Sequence, residues 1–197
     1  MSTDDRVEVT TGIARLHASP GLAGTGRLGL VTNRTGVLPD LRSATPALIE
    51  AGARLVALFG TERGLHGTGQ AGESEAAQAD PTTGLPAHDT YDLMVSAART
   101  DVRFVVADRS NPLGGLVSEG PLLDPGWAGF VGRAPIPFRH GLTRGELARR
   151  LNASVVPQGA GTAVDLTVVE TVGRRRAMDA EATGLPPRTV LGVPPLP

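Results

Sequence analysis

The residues that could do chemistry fall into a few short polar clusters. Glu62, in Gly60-Thr-Glu-Arg-Gly64, stands just past an apolar run that ends at Phe59. Glu119 stands in the sharply turned Ser118-Glu-Gly-Pro121. Two carboxylates flanking a glycosidic bond are the usual apparatus of sugar hydrolysis, about 5 Å apart for retention and farther for inversion. Arg63 beside Glu62 favours the ionised carboxylate, which suits a nucleophile or base better than a general acid. The plainer reading of Glu62 is an exposed loop glutamate paired with Arg63. Asn33-Arg34 and Asp108-Arg-Ser-Asn111 follow two further apolar runs. If those runs are parallel strands, all three sets of polar groups lie on one sheet edge, where open α/β sheets bind ligands. Arg139 and His140 precede a strongly signalled helix start. An arginine there can grip a carboxylate with two parallel hydrogen bonds, and helix N-termini favour anions. The plainer role for His140 is a hydrogen bond at the helix entry.

Other chemistries are excluded or unsupported. No cysteine is present, so thiol catalysis and disulfides are out. All 19 basic residues are arginine, which removes Schiff-base chemistry and a Walker lysine. Gly67-Thr-Gly-Gln-Ala-Gly72 matches a dinucleotide fingerprint literally, but it neither follows a strand end directly nor opens an apolar helix. His88 and Asp92 share helical spacing without a third ligand, so no metal is expected, and no cofactor. A hydrolase serine elbow is missing. The net charge of −1 gives no electrostatic case for nucleic acid. Arg174-Arg-Arg176 reads as a solvated turn or helix face. The polar start Met1-Ser-Thr-Asp-Asp-Arg6 lacks an apolar core, and no run is long enough for a membrane span, so a cytoplasmic protein is expected.

The elements that must position these groups alternate. Strands are expected at 28–32, 54–59, 102–107 and 163–169. Helices are expected within 7–18, from Thr45 as N-cap with Pro46 following, over 90–100, and from the capping box Thr143-Arg-Gly-Glu146. Residues 68–87 and the Gly/Pro-rich 108–141 read as long loops. The class is α/β, with a mostly parallel sheet flanked by helices in a single domain, residues 1–185, and a Pro-rich tail, 186–197.

Leu30-Val-Thr-Asn-Arg-Thr-Gly36, Ala57-Leu-Phe-Gly-Thr-Glu-Arg-Gly-Leu-His-Gly67, Thr83-Gly-Leu-Pro86, Asp108-Arg-Ser-Asn-Pro-Leu-Gly-Gly115, Glu119-Gly-Pro121, Pro135-Ile-Pro-Phe-Arg-His-Gly-Leu-Thr-Arg-Gly-Glu-Leu-Ala148 and Asp165-Leu-Thr-Val-Val169 run in the order of the NamZ-type exo-β-N-acetylmuramidases. The chain resembles that family over about 26–186. The resemblance implies a Rossmann-like sheet and release of terminal N-acetylmuramic acid from peptidoglycan fragments, in cell-wall recycling, without metal or nucleotide. It implies Glu62 as catalytic carboxylate, Glu119 as its partner, and Asn33, Asp108, Arg109, Asn111, Arg139 and His140 as substrate-binding positions. Arg139 and His140 would hold the lactyl carboxylate of the sugar. Departures accompany the likeness. Arg63 stands where the family has histidine and Arg34 where it has glutamine. A family segment that makes a strand and starts a helix between Pro86 and Met94 is absent. The family's second domain would begin after Pro186. Two readings follow: an active hydrolase, or an inactive relative that binds a muropeptide or a protein. In either, self-association would let a second copy supply a missing cleft wall.

Overall fold

The computed structural model describes residues 8–61, 78–80, 82–89, 93–129 and 132–185. The chain divides into two compact units, one built on Ile13–Tyr91 and the other on Asp92–Leu185 with the N-terminal residues up to Gly12. Helix α1, Gly12–Ala18, leads into the first unit.

The first unit is organised by Leu55-Val-Ala-Leu-Phe-Gly60, an apolar run that forms strand β2. Strand β1, Leu28–Val31, lies beside it in parallel, with Leu30 opposite Leu58 and Val31 opposite Phe59. Leu58 is wholly buried. The crossover between them is helix α2, Ala44–Glu50, which buries Ala44, Thr45, Ala47 and Leu48. This helix begins two residues earlier than its sequence suggests. Thr45 is inside the first turn and buried, not the N-cap, and Ser43 holds the cap position without a side-chain bond. Pro46 is accommodated because the first turn leaves its N–H groups unpaired anyway.

Residues expected as loop form a hairpin, β3, Gln78–Ala79, antiparallel to β4, Pro86–Asp89. The turn makes it. The buried Asp80 carboxylate accepts from the Thr83 amide at 2.8 Å and its hydroxyl at 2.6 Å, and the Asp80 amide donates to Leu85 at 2.8 Å. β4 then pairs in parallel with β2, Phe59 opposite His88 and Gly60 opposite Asp89, giving the order β1-β2-β4-β3. The strand position that the family likeness left empty between Pro86 and Met94 is therefore filled, by the residues that remain.

In the second unit β5, Phe104–Ala107, pairs in parallel and in register with β8, Leu166–Val169. Helices α3, Leu93–Arg99, and α4, Arg144–Ala160, pack together over a core of Ala97, Val156 and Val164, with Met94, Phe104 and Leu166 against it. The capping box forms as its sequence predicts: the Thr143 hydroxyl accepts from the Glu146 amide at 3.1 Å, and the Glu146 carboxylate from the Thr143 amide at 2.9 Å. Asn152 closes the return to β8 through two bonds to Val164, at 2.8 and 3.0 Å. Within the Gly/Pro-rich segment a second hairpin appears, β6, Glu119–Leu122, antiparallel to β7, Pro137–Arg139. Parallel pairs joined through helices make the fold α/β, as its alternating pattern requires.

Candidate functional site

In the first unit the ends of β1 and β2 are tied together by Asn33. Its Oδ1 accepts from the Thr35 amide at 3.0 Å and the Thr35 hydroxyl at 2.7 Å, an Asx-type turn that fixes the side chain. Its Nδ2 donates to the Thr61 hydroxyl at 3.2 Å. Thr61, the residue before Glu62 in sequence, is thereby held through its side chain at the end of β2. Glu62 itself lies outside the described residues. So do Arg63, His66 and the Gly67–Gly72 glycines.

In the second unit the end of β5 is joined to the start of α4 by Asp108. The residue is 5% exposed. One oxygen, Oδ1, accepts from the Gly145 amide at 2.7 Å and from the Arg109 amide at 2.9 Å; Oδ2 faces the Thr171 hydroxyl at 3.4 Å. A carboxylate on the first-turn N–H groups satisfies otherwise unpaired donors and opposes the helix dipole. The contact requires glycine at 145: a Cβ there would stand 2.5 Å from Val168 Cγ1 and 3.1 Å from Asp108 Cγ. On the other side Gly12 donates to the Asp108 carbonyl at 2.8 Å, and a Cβ on Gly12 would stand 2.3 Å from the Asp108 amide nitrogen. Asp108 thus fastens three segments, and any share it takes in binding is through the shape it gives the loop.

That loop carries Arg109, Ser110 and Asn111. The Arg109 guanidinium is held below the usual arginine value, first by burial and then by the neighbouring charge of Arg144. Arg144 is lowered by burial too, with Asp108 opposing. Asn111 donates to the Leu142 carbonyl at 3.2 Å and accepts from the Leu113 amide at 3.0 Å. Ser110 is buried, and its hydroxyl has no partner among the described residues.

Arg139 and Glu119 face each other in the β6–β7 hairpin, 2.7 Å apart, and Arg139 also donates to the Leu113 carbonyl at 2.9 Å. The arginine expected to grip a ligand carboxylate is thus engaged by a protein carboxylate. His140 Nδ1 accepts from the Leu142 amide at 3.1 Å, the helix-entry bond. The first α4 amides are all taken: Arg144 by the Arg109 carbonyl, Gly145 by Asp108 and Glu146 by Thr143. An anion here would have to be met by side chains. Arg144, Gly145 and Thr171 were not candidates from sequence; only the glycine inside the capping box hinted at a close approach. The arginine run 174–176 is not merely solvated. Arg176 pairs with Glu146, and Arg174 lies over Gly115 with Nε and one terminal nitrogen buried and without a partner among the described residues. Among the described residues no three His, Asp or Glu side chains gather as metal ligands, and no helix is long and apolar enough to cross a membrane.

The family model described as "Exo-beta-N-acetylmuramidase NamZ, N-terminal" matches residues 28–93 and 91–189, both strand-end clusters included. The chain belongs to this family. A Bacillus subtilis (strain 168) member named peptidoglycan beta-N-acetylmuramidase NamZ is 35% identical, over 81% of this chain and 46% of that protein. A crystal structure of a DUF1343 family protein from Bacteroides fragilis NCTC 9343 superposes with a TM-score of 0.79 at 33% identity, covering 91% of this chain and 54% of that one. A second protein of the same description and organism gives 0.71 at 25% identity, over 87% and 54%. The chain spans about half the length of these relatives.

Proposed function

We propose that this chain carries the active site of an exo-β-N-acetylmuramidase, a glycoside hydrolase that releases terminal N-acetylmuramic acid from peptidoglycan fragments. The observation that carries the reading is the family match across both strand-end clusters, at 35% identity to a protein named for that activity. Glu62 is the reactive carboxylate. Asn33 supports it by holding the side chain of Thr61, its neighbour in sequence. With Arg63 adjacent, Glu62 acts ionised, as nucleophile on the anomeric carbon or as base toward water. Glu119 is the second carboxylate to test, and Asp108, Arg109, Asn111, Arg139 and His140 make up the binding side. Cell-wall recycling in the cytoplasm and self-association belong to the same proposal.

The test is hydrolysis of a chromogenic β-N-acetylmuramide. Wild type should turn it over, and Glu62→Gln should lose about 10³-fold or more in kcat, as expected for a group acting in the transition state. No turnover by wild type would overturn the assignment. Retained binding of N-acetylmuramic acid by such an inactive chain would point instead to a muropeptide-binding module.

A further inference from the structure

The hydrogen bond at His140 fixes more than the helix entry. A ring nitrogen that accepts a hydrogen bond carries no proton, so a neutral imidazole must carry its proton on the other nitrogen. His140 Nδ1 accepts from the Leu142 amide. We propose that His140, as the neutral imidazole, is locked as the Nε2–H tautomer and acts in this site as a hydrogen-bond donor to a ligand oxygen.

The turn that holds the ring is braced on both sides. Gly141 sits at φ 64°, and a Cβ there would stand 2.9 Å from the Val117 carbonyl oxygen. The Leu142 carbonyl accepts from Asn111. Thr143 is closed by the capping box. Flipping the ring would set C–H against the Leu142 amide, and the other neutral tautomer would set N–H against N–H. Either change leaves a part-buried backbone donor unpaired, which costs about 1–3 kcal/mol. Nε2, by contrast, has no hydrogen bond among the described residues and is not one of the enclosed unpartnered atoms, so it keeps access to solvent. A fixed, accessible N–H donor suits a carboxylate or amide carbonyl oxygen. On the proposed function, on which this part rests, that is the lactyl carboxylate or acetamido oxygen of the muramic acid residue. Because Arg139 is occupied by Glu119, the neutral donor beside it becomes the more available of the two groups.

Two measurements on the whole chain test this. Side-chain ¹⁵N NMR of the neutral imidazole, with the His140→Asn spectrum as assignment, should show Nδ1 unprotonated and Nε2 protonated. A protonated Nδ1, or an average of two tautomers, would overturn the lock. The second uses His140→Asn, whose Oδ1 can take the Leu142 amide but which offers no donor at the Nε2 position, and His140→Gln, whose amide can donate there. His140→Asn should melt close to wild type yet bind N-acetylmuramic acid at least tenfold more weakly by calorimetry. His140→Gln should bind better than His140→Asn. Wild-type affinity in His140→Asn would overturn the donor role while leaving the proposed function standing. If wild type does not bind the sugar, the proposed function and the donor role fall together, and the NMR result still decides the tautomer.

Discussion

Replacing Asp108 by alanine removes the one oxygen that serves two backbone amides, those of Gly145 and Arg109. The site is 5% exposed, so water cannot readily replace the lost acceptor. A buried donor left unpaired costs about 1–3 kcal/mol, so two of them, with the lost charge at the helix terminus, bring Asp108→Ala to about 3–5 kcal/mol. For a chain of this size about 2–4 °C of melting temperature goes with each kcal/mol, so the variant should melt roughly 10 °C or more below wild type. Asparagine tells a different story. Both amides converge on Oδ1, so in Asp108→Asn a side-chain carbonyl oxygen in that place keeps both bonds. The new NH₂ group can donate to the Thr171 hydroxyl that faces Oδ2 in the wild type. Only the charge is lost, about 1 kcal/mol at a helix N-terminus. Asp108→Asn should therefore lose only a few degrees. Melts followed by circular dichroism at constant salt decide the matter. If asparagine falls as far as alanine, charge rather than bond geometry holds β5 to α4, and the account of the joint is wrong.

Other outcomes follow from the same contacts. Gly12→Ala places a methyl 2.3 Å from two backbone atoms, Asp108 N and Val169 O, that cannot turn aside; it should cost about 3 kcal/mol or more, read as a lower urea midpoint. Asn33→Ala should leave the melting temperature within a few degrees but cut kcat on the chromogenic muramide by about tenfold or more, since a misplaced catalytic segment is felt in the transition state. The carboxyl of Asp40 is held below the usual aspartate range by its hydrogen bonds to Arg42. A folded-state value depressed in this way contributes stability that is present at neutral pH and lost as pH falls through that value. The pair is exposed and screened by solvent, so Asp40→Asn should lower stability only slightly at pH 7, and the difference from wild type should vanish along the acid limb of a stability–pH curve.

The sheet strands and the α4 start could be read from the chain because their causes are local. Apolar β-branched runs mark β1, β2, β5 and β8, and Thr143-Arg-Gly-Glu146 states its own cap. The two hairpins could not. β3 is two residues long, and β6 contains Gly120 and Pro121 and is exposed throughout. Such strands carry no periodic signature, and their pairing is set by partners elsewhere or by a turn like Asp80–Gly84. Thr45 misled for a related reason: its type suits a cap, but its burial inside the first turn outweighed that preference. For the candidate site, residue types at Asn33, Asp108, Asn111 and His140 were visible. That much of their hydrogen-bonding capacity is spent inside the protein was not, because it depends on contacts with Thr61, Gly145 and Leu142 that residue types and spacing do not reveal.

The stitching of the N-terminal strip has a consequence for how the chain is made. Thr10 and Val172 exchange a reciprocal pair of backbone hydrogen bonds, each 2.9 Å, while Gly12 is bonded to Asp108. The earliest of these described residues to leave the ribosome therefore wait for some of the last. The strand pairs β1, β2 and β4, by contrast, find every partner within Ile13–Tyr91. Synthesis runs from the N-terminus, and contacts between distant parts of a chain form late. On a translating ribosome the Ile13–Tyr91 ladder should gain protease resistance first. The segment before Gly12 should stay open to cleavage until Val172 is free to receive it.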